Sequence, residues 1–355
     1  MLTFIKGRFS CYFGNYNLKV VISYIIKQNA GKTTTFFLHF NVNRQETNMK
    51  QKNNLLTHPF IIALIALFCC ALWGSATPFI KIGYSLILPH SGVPSTILFA
   101  GIRFTLAGIF TVIIYSIARR KFLFPKPKNI TKVATISCFQ TIIQYIFFYI
   151  GLANTSGVKG TIASGSSAFF TVLIACLVFR LEKISFKKVF ACFIGFTGII
   201  LINIKGLDFT MNFTGDCFVI FSAISYAISS VLVKIYSKHE DPVIISGYQF
   251  ILGGIVMCIV GLLMGGWVMF PNVTAIAVLI YLSLLSACAY SLWGVLLKYN
   301  PVSKVAIFSF TTPVFGVLLS NLMLSEQSNV DPVNLIITLV LICTGIILLN
   351  YQKTK

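Results

Sequence analysis

Between residues 60 and 350 the chain alternates between apolar blocks of about 20 residues and short polar connectors, and that block length is what roughly 30 Å of hydrocarbon requires of a helix. Ten blocks are predicted to be membrane-spanning helices, near residues 60–82, 95–117, 132–151, 158–179, 187–204, 215–236, 243–266, 274–297, 302–324 and 332–350. The expected fold class is an all-α polytopic membrane protein. The preceding segment, 1–58, mixes polar and apolar positions, and its apolar run around Val20 to Ile26 is too short to span. Met49 opens a stretch, MKQKNN, that looks like the basic start of a membrane protein, so residues 1–48 are read as a start-site artefact or a disordered tail. Gly31-Lys32-Thr33 matches the end of a phosphate-binding loop, but Ile26 stands where the first glycine belongs, and the match is read as chance.

Composition removes the soluble alternative. Hydrophobic residues make up 57% of the 355 positions and charged residues 10%, against roughly 25% charged in a soluble domain. A formal charge of +20 suggests nucleic acid until its 28 Lys and Arg residues are placed. All but Lys81 and Arg103 sit in the connectors, and they form no stripe on a folded surface, so no nucleic-acid partner is expected. They also alternate. The connectors on one side carry 24 of them, including Arg119, Arg120, Lys121, Arg180, Lys183, Lys187 and Lys188, and those on the other side carry only Lys159 and Lys205. The positive-inside rule then places both termini in the cytoplasm. Nine of the ten cysteines lie in or beside apolar blocks without CxxC spacing, as packing residues. No metal site or cofactor is expected.

Comparing the halves exposes a duplication. Arg103-Phe-Thr-Leu-Ala-Gly-Ile in the second span aligns with Gln249-Phe-Ile-Leu-Gly-Gly-Ile in the seventh, and Gly198-Ile-Ile-Leu-Ile-Asn in the fifth with Gly345-Ile-Ile-Leu-Leu-Asn in the tenth. Lys81 falls opposite Lys234, and Glu182 opposite Glu326. A five-span unit is used twice, over 59–205 and 206–351. Because five is odd, the second copy enters the membrane from the other side, and inverted repeats of this kind are a transporter signature.

From about residue 60 to 350 the sequence resembles the drug/metabolite transporter superfamily, in particular proteins with two EamA-like five-helix repeats. The resemblance is carried by Ala71-Leu-Trp-Gly-Ser, by Arg103 followed by small residues, and by Tyr149-Ile-Gly-Leu-Ala-Asn-Thr-Ser-Gly-Val with Glu182 after it. In the second copy Trp293, Asn300-Pro-Val, Pro313 and Glu326 carry it. It implies a metabolite exporter or exchanger with a central cavity between the repeats, and it leaves the substrate open.

Several polar residues lie at bilayer depth. Arg103, near the middle of its span, would cost about 2.5–3.5 kcal/mol if unpaired. It is read either as the counter-charge to a substrate carboxylate or as an arginine bonded to carbonyls at a helix break; its repeat mate Gln249 is neutral. Gln140 and Gln144, Ser222, Ser225 and Ser229, and Ser283, Ser286, Tyr290 and Trp293 form polar stripes at helical spacing, which in lipid must turn inward. Trp73 and Thr77 share a face of the first span beside Pro78, and Pro313 interrupts the ninth; both prolines are expected helix breaks. Ser164 belongs to a small-residue face with Gly157, Gly160, Ala168 and Thr171, which allows tight helix contact or lines a cavity. Trp73, Thr77, Arg103, Gln140, Gln144, Ser164, Gln249, Tyr290 and Trp293 are therefore the substrate-cavity candidates. Glu182 and Glu326 sit at the interface, where structural anchoring is expected.

No Asp, Glu or His stands at mid-membrane, which speaks against a carboxylate proton relay and against an intramembrane enzyme. The expected function is a secondary carrier of a small amino-acid-like or anionic metabolite, by export or exchange. Alternatives are efflux of lipophilic cations, which would want an acid in the cavity, and a non-transporting scaffold. The expected setting is a bacterial inner membrane, with homodimerisation left open.

Overall fold

The computed structural model describes residues 18–21, 39–42, 55–88, 92–204, 212–324 and 332–350; Gly31-Lys32-Thr33, Met49 and Glu326 lie outside the described residues. Two short strands, β1 (Leu18–Val21) and β2 (His39–Val42), pair antiparallel with Leu18 opposite Val42, a pairing that the mixed pattern of this segment did not predict.

From Leu55 onward the described chain consists of helices and connectors. They are α1 (Pro59–Ile87), α2 (Val93–Ala118), α3 (Pro127–Ala153), α4 (Gly157–Val178), α5 (Phe186–Ile202), α6 (Phe213–Tyr236), α7 (Pro242–Leu263) and α8 (Val273–Tyr299). Then come α9 (Val302–Ala306, a 3-10 turn at Ile307–Thr311, then Thr312–Leu324) and α10 (Pro332–Asn350). Among the described residues nine helices are long and apolar enough to cross a membrane. The exception, α5, has 17 residues, about 26 Å of helix, at the short end of what a span uses. The fifth expected span is thus present as a helix, the shortest of the set.

Local chemistry starts these helices where the polar connectors end. Asn212, Asp241 and Asn272 accept hydrogen bonds from the backbone N–H of Gly215 (3.0 Å), Val243 (2.8 Å) and Ala275 (2.9 Å), satisfying donors that the first helical turn leaves open. Prolines occupy the first turns of α1, α2 and α7, where a missing N–H costs nothing. The outward faces stay apolar: Phe186, Leu263 and Val273 are each more than 80% exposed, as a lipid-facing surface requires.

The packing repeats with a period of five helices. α1 lies against α8 and α9 of the second half, while α6 lies against α3 and α4 of the first; α2 packs on α7 and α5 on α10. Each contact therefore has a partner related by exchange of the halves. Along α2 and α7 the contacts run from Leu98 with Gly261, through Gly101 with Cys258, to Gly108 with Gly247, so residue numbers rise on one helix as they fall on the other. α5 and α10 behave likewise, with Ala191 against Gly345 and Gly198 against Ile342. Mates that run antiparallel are what an inverted repeat demands.

Hydrogen bonds sort the connectors onto two faces. On the basic face, the Glu240 carboxylate accepts from the Lys126 N–H and from Asn129 Nδ2, both at 2.9 Å. Lys234 Nζ donates to the carbonyls of Lys298 (2.9 Å) and Asn300 (2.8 Å), closing the C-terminal end of α8. On the opposite face, Met269 N–H donates to the Ile87 carbonyl at 2.9 Å, and Thr155 bonds Asp216.

Glu182 ties the halves together on the basic face. It accepts from Lys188 Nζ at 2.8 Å, from the Ser303 N–H at 3.1 Å and from the Ser303 hydroxyl. Burial alone would raise its carboxyl, but the bonds from Lys188 and Ser303 hold it below its ordinary value. A depressed folded value adds stability that is present above the unfolded value, about 4.3, and is lost as pH falls through the folded one. A Glu182→Gln variant in detergent is expected to be less stable by about 1–2 kcal/mol at neutral pH, with the gap shrinking in acid. Identical melting curves at neutral pH would show that the bridge contributes nothing.

Candidate functional site

The middle of the molecule is organised by α2 and α7. Glycine at 101, 108, 247 and 254 brings their backbones into direct contact: a Cβ on Gly108 would stand 2.5 Å from the Gly247 carbonyl oxygen, and one on Gly254 2.5 Å from the Thr105 nitrogen. Neither neighbour is the end of a flexible side chain. Next to this seam, the repeat mates Phe104 and Phe250 stack on each other, ring centres 5.1 Å apart and planes within 7°. Tyr145 on α3 and Tyr290 on α8, which hold corresponding places in the two repeats, share a hydrogen bond of 2.8 Å between hydroxyls. A ring stacked on its own mate, and a hydroxyl bonded to its own mate, mark the pseudo-two-fold axis. Phe104, Phe250 and Tyr290 are buried, so aromatic side chains close the centre in this conformation.

Arg103 and Gln249 sit on either side of that axis and differ in how they are satisfied. Gln249 is fully buried and locked to α3: its Oε1 accepts from the Thr141 hydroxyl at 2.6 Å and its carbonyl from Ser137 at 2.8 Å. Its Nε2 has no acceptor. Arg103 is 5% exposed. Its Nε is buried without an acceptor, and among the described residues neither a carbonyl nor a carboxylate receives a hydrogen bond from its guanidinium. What it has is the face of Phe104, 4.4 Å from the guanidinium carbon to the ring centre. A cation–π contact gives about 0.5–2 kcal/mol, less than the roughly 2.5–3.5 kcal/mol that an unpaired arginine costs at mid-membrane. The guanidinium is left short of a partner.

Hydroxyls surround it. Tyr84, Tyr145, Tyr149 and Tyr290 all lie within electrostatic reach of Arg103. Trp73 meets Tyr290 and Trp293 edge to face, with ring centres 5.2 and 5.0 Å apart, and its Nε1–H has no acceptor. Gln144, near Tyr290, keeps its buried Oε1 unbonded. A guanidinium, an indole N–H and several phenols thus converge from α1, α2, α3 and α8, and all of them can donate to an oxyanion.

Of the sequence candidates, Trp73, Arg103, Gln144, Tyr290 and Trp293 meet in this cluster, Gln249 lies across the axis, and Gln140 is buried next to Thr141, the residue that bonds Gln249. Thr77 is exposed and faces Gly316 of α9. Ser164 turns back on its own helix, donating to the Gly160 carbonyl at 2.7 Å. Neither joins the cluster. Pro78 does not break α1, which runs on to Ile87; the carbonyl that its ring leaves free, that of Gly74, lies against Gly316. Pro313 stands where the 3-10 turn of α9 gives way to α-helix. Tyr84, Tyr145 and Tyr149 were missed, although Tyr145 and Tyr149 are one helical turn apart and Tyr145 corresponds to Tyr290. That correspondence was the available signal.

The model of the EamA-like transporter family matches residues 60–204 and again 213–351. A WAT1-related chloroplastic protein of Arabidopsis thaliana is 23% identical over 296 residues, covering 79% of this chain and 67% of the relative. An uncharacterized transporter of Archaeoglobus fulgidus is 25% identical over 274 residues, 75% of this chain and 90% of its own. The transporter YvbV of Bacillus subtilis, also uncharacterized, is 23% identical over 299 residues, 82% of this chain and 92% of its own. A protein of known crystal structure superposes with a TM-score of 0.67 at 16% identity, covering 81% of this chain and 97% of that one, a likeness of fold.

Proposed function

The chain belongs to the EamA-like transporter family of the drug/metabolite transporter superfamily and is a membrane transporter, and we propose that it is a secondary carrier of a small anionic or zwitterionic organic solute. The observation that carries this reading is Arg103, a buried guanidinium with no acceptor among the described residues, set among donors at the pseudo-two-fold axis. The solute's carboxylate, or another oxyanion, accepts from Arg103; its remainder lies against the rings of Trp73, Tyr290 and Trp293. The repeats rock against each other about the α2–α7 seam, opening the centre to one face and then the other. The excess of Lys and Arg on the connectors of the basic face supports placing that face, and both termini, in the cytoplasm of a bacterial cell.

Efflux of lipophilic cations is supported by the aromatic rings and opposed by the guanidinium, because a like charge in a low-dielectric site repels. Uptake into proteoliposomes separates the two. Labelled amino acids and short carboxylic acids are expected to enter vesicles holding the protein, and to enter at least about ten-fold more slowly with Arg103→Gln, a loss of one buried charge-assisted bond. Movement of tetraphenylphosphonium but of none of the acids would replace this reading with cation efflux.

A further inference from the structure

We propose that the basic face carries a binding site for the phosphate headgroup of an anionic phospholipid, in a cavity where α5 of the first repeat meets α9 and α10 of the second. The site shares no residue with the cluster around Arg103 and stands whichever solute moves there.

The cavity has a volume of about 300 Å³ and is lined by Ser185, Lys187 and Lys188 at the start of α5, by Ser303 and Lys304 at the start of α9, and by Leu349 near the end of α10. Glu182 lines it too, accepting from Lys188 Nζ at 2.8 Å and from the Ser303 N–H at 3.1 Å. Three lysines thus face one carboxylate, and Lys187 and Lys304, which belong to different repeats, lie within electrostatic reach of each other. Like charges held close repel, and an anion seated between them relieves the repulsion. The N-terminus of α5, a 17-residue helix, opens at the same place and adds the positive end of its dipole.

Depth and apolar surroundings specify a lipid over a soluble anion. Two helices start at the cavity and one finishes there, which places it at the headgroup layer, where the apolar spans end. Leu349 gives the cavity an apolar wall. On the exposed side of α5, Phe186 and Phe190 stack with ring centres 5.5 Å apart and planes within 13°, a surface along which an acyl chain can lie. The phosphate takes Lys187 and Lys304, and basic pockets between membrane helices bind phospholipid headgroups in this way. The positive-inside rule accounts for how many cations the basic connectors hold, but not for three of them converging from two repeats on one cavity. The repeat itself does not demand them either: the corresponding connector of the second copy, residues 325–331, carries no Lys or Arg. A phosphate bound here bridges the two repeats beside the Glu182 tie and stabilises their contact on this face.

The full-length protein is purified in a neutral detergent and supplied with phosphatidylglycerol or phosphatidylcholine at equal mole fraction. Phosphatidylglycerol is expected to raise the melting temperature by at least about 3 °C over phosphatidylcholine, and to stay bound in native mass spectrometry. In Lys187→Gln/Lys304→Gln the retained lipid is expected to fall at least about ten-fold. Lys121→Gln/Lys128→Gln, which removes two exposed lysines from the same face, is expected to retain it. Equal losses in the two variants overturn the site and leave only diffuse attraction to a basic surface. An unaltered protein that does not distinguish the two lipids overturns it as well. If inorganic phosphate added in phosphatidylcholine reproduces the gain, the occupant is a free anion and the lipid proposal falls. Should the double variant not fold, Lys187→Gln alone, at an exposed side chain, takes its place, with a loss of at least about three-fold expected and an unchanged amount of bound lipid overturning the site.

Discussion

Replacing Arg103 with methionine is expected to make the protein more stable, by about 2 kcal/mol, while abolishing movement of anionic solutes. The usual expectation for a buried polar residue is the reverse. An arginine that bonds carbonyls or a carboxylate leaves those acceptors unsatisfied when it is removed, at a cost of several kcal/mol. Arg103 has no such acceptor among the described residues; its Nε is buried bare, and Phe104 supplies a cation–π contact. Methionine keeps much of the length, packs adaptably and removes the desolvated charge. Thermal unfolding in detergent, read beside the uptake assay, checks both halves of the statement. A methionine variant that melts well below the parent would assign Arg103 a structural role and remove the main support for the anion site. Stability given up at a binding site is a common trade.

Gly108→Leu is expected to prevent folding of the seam, with a cost of about 3 kcal/mol or more and loss of a monodisperse peak on size exclusion. Its Cβ alone would meet the Gly247 carbonyl oxygen at 2.5 Å and the Ile251 nitrogen at 2.7 Å. Those are backbone atoms of α7, so relief requires the two helices to separate and the Phe104–Phe250 stack to part. In lipid, helices associate largely through van der Waals packing, and small residues let their backbones approach. Gly157→Ala serves as the comparison, since nothing lies within 4 Å of a Cβ at that position; a change of no more than about 1 kcal/mol is expected there. A folded Gly108→Leu protein with the parent's melting temperature would mean that α2 and α7 do not meet as closely as described.

The spans and their duplication were legible because each is a local property. A helix in hydrocarbon satisfies its own backbone, so the length of an apolar block is enough to announce it, and α5 is short in the sequence for the same reason that it is short in the fold. The aligned Arg103-Phe and Gln249-Phe segments likewise exposed the repeat without any structure. Which polar groups face one another is not a local property. Periodicity put Trp73 and Thr77 on one face of α1, yet Trp73 meets Tyr290 while Thr77 meets Gly316, because α8 and α9 both pack on that helix. Pro78 reads as a break in isolation, but the free carbonyl it creates lies against α9 and α1 continues. Tyr145 drew no notice in the sequence and proved to lie on the pseudo-axis, bonded to its own mate. The sequence by itself determined how many apolar segments there are, that they come in two copies and that a single cation stands at mid-membrane in the second span. Only the tertiary structure decided that this cation has phenols near it and, among the described residues, no carboxylate partner, since partners distant in the chain are chosen by how whole helices pack.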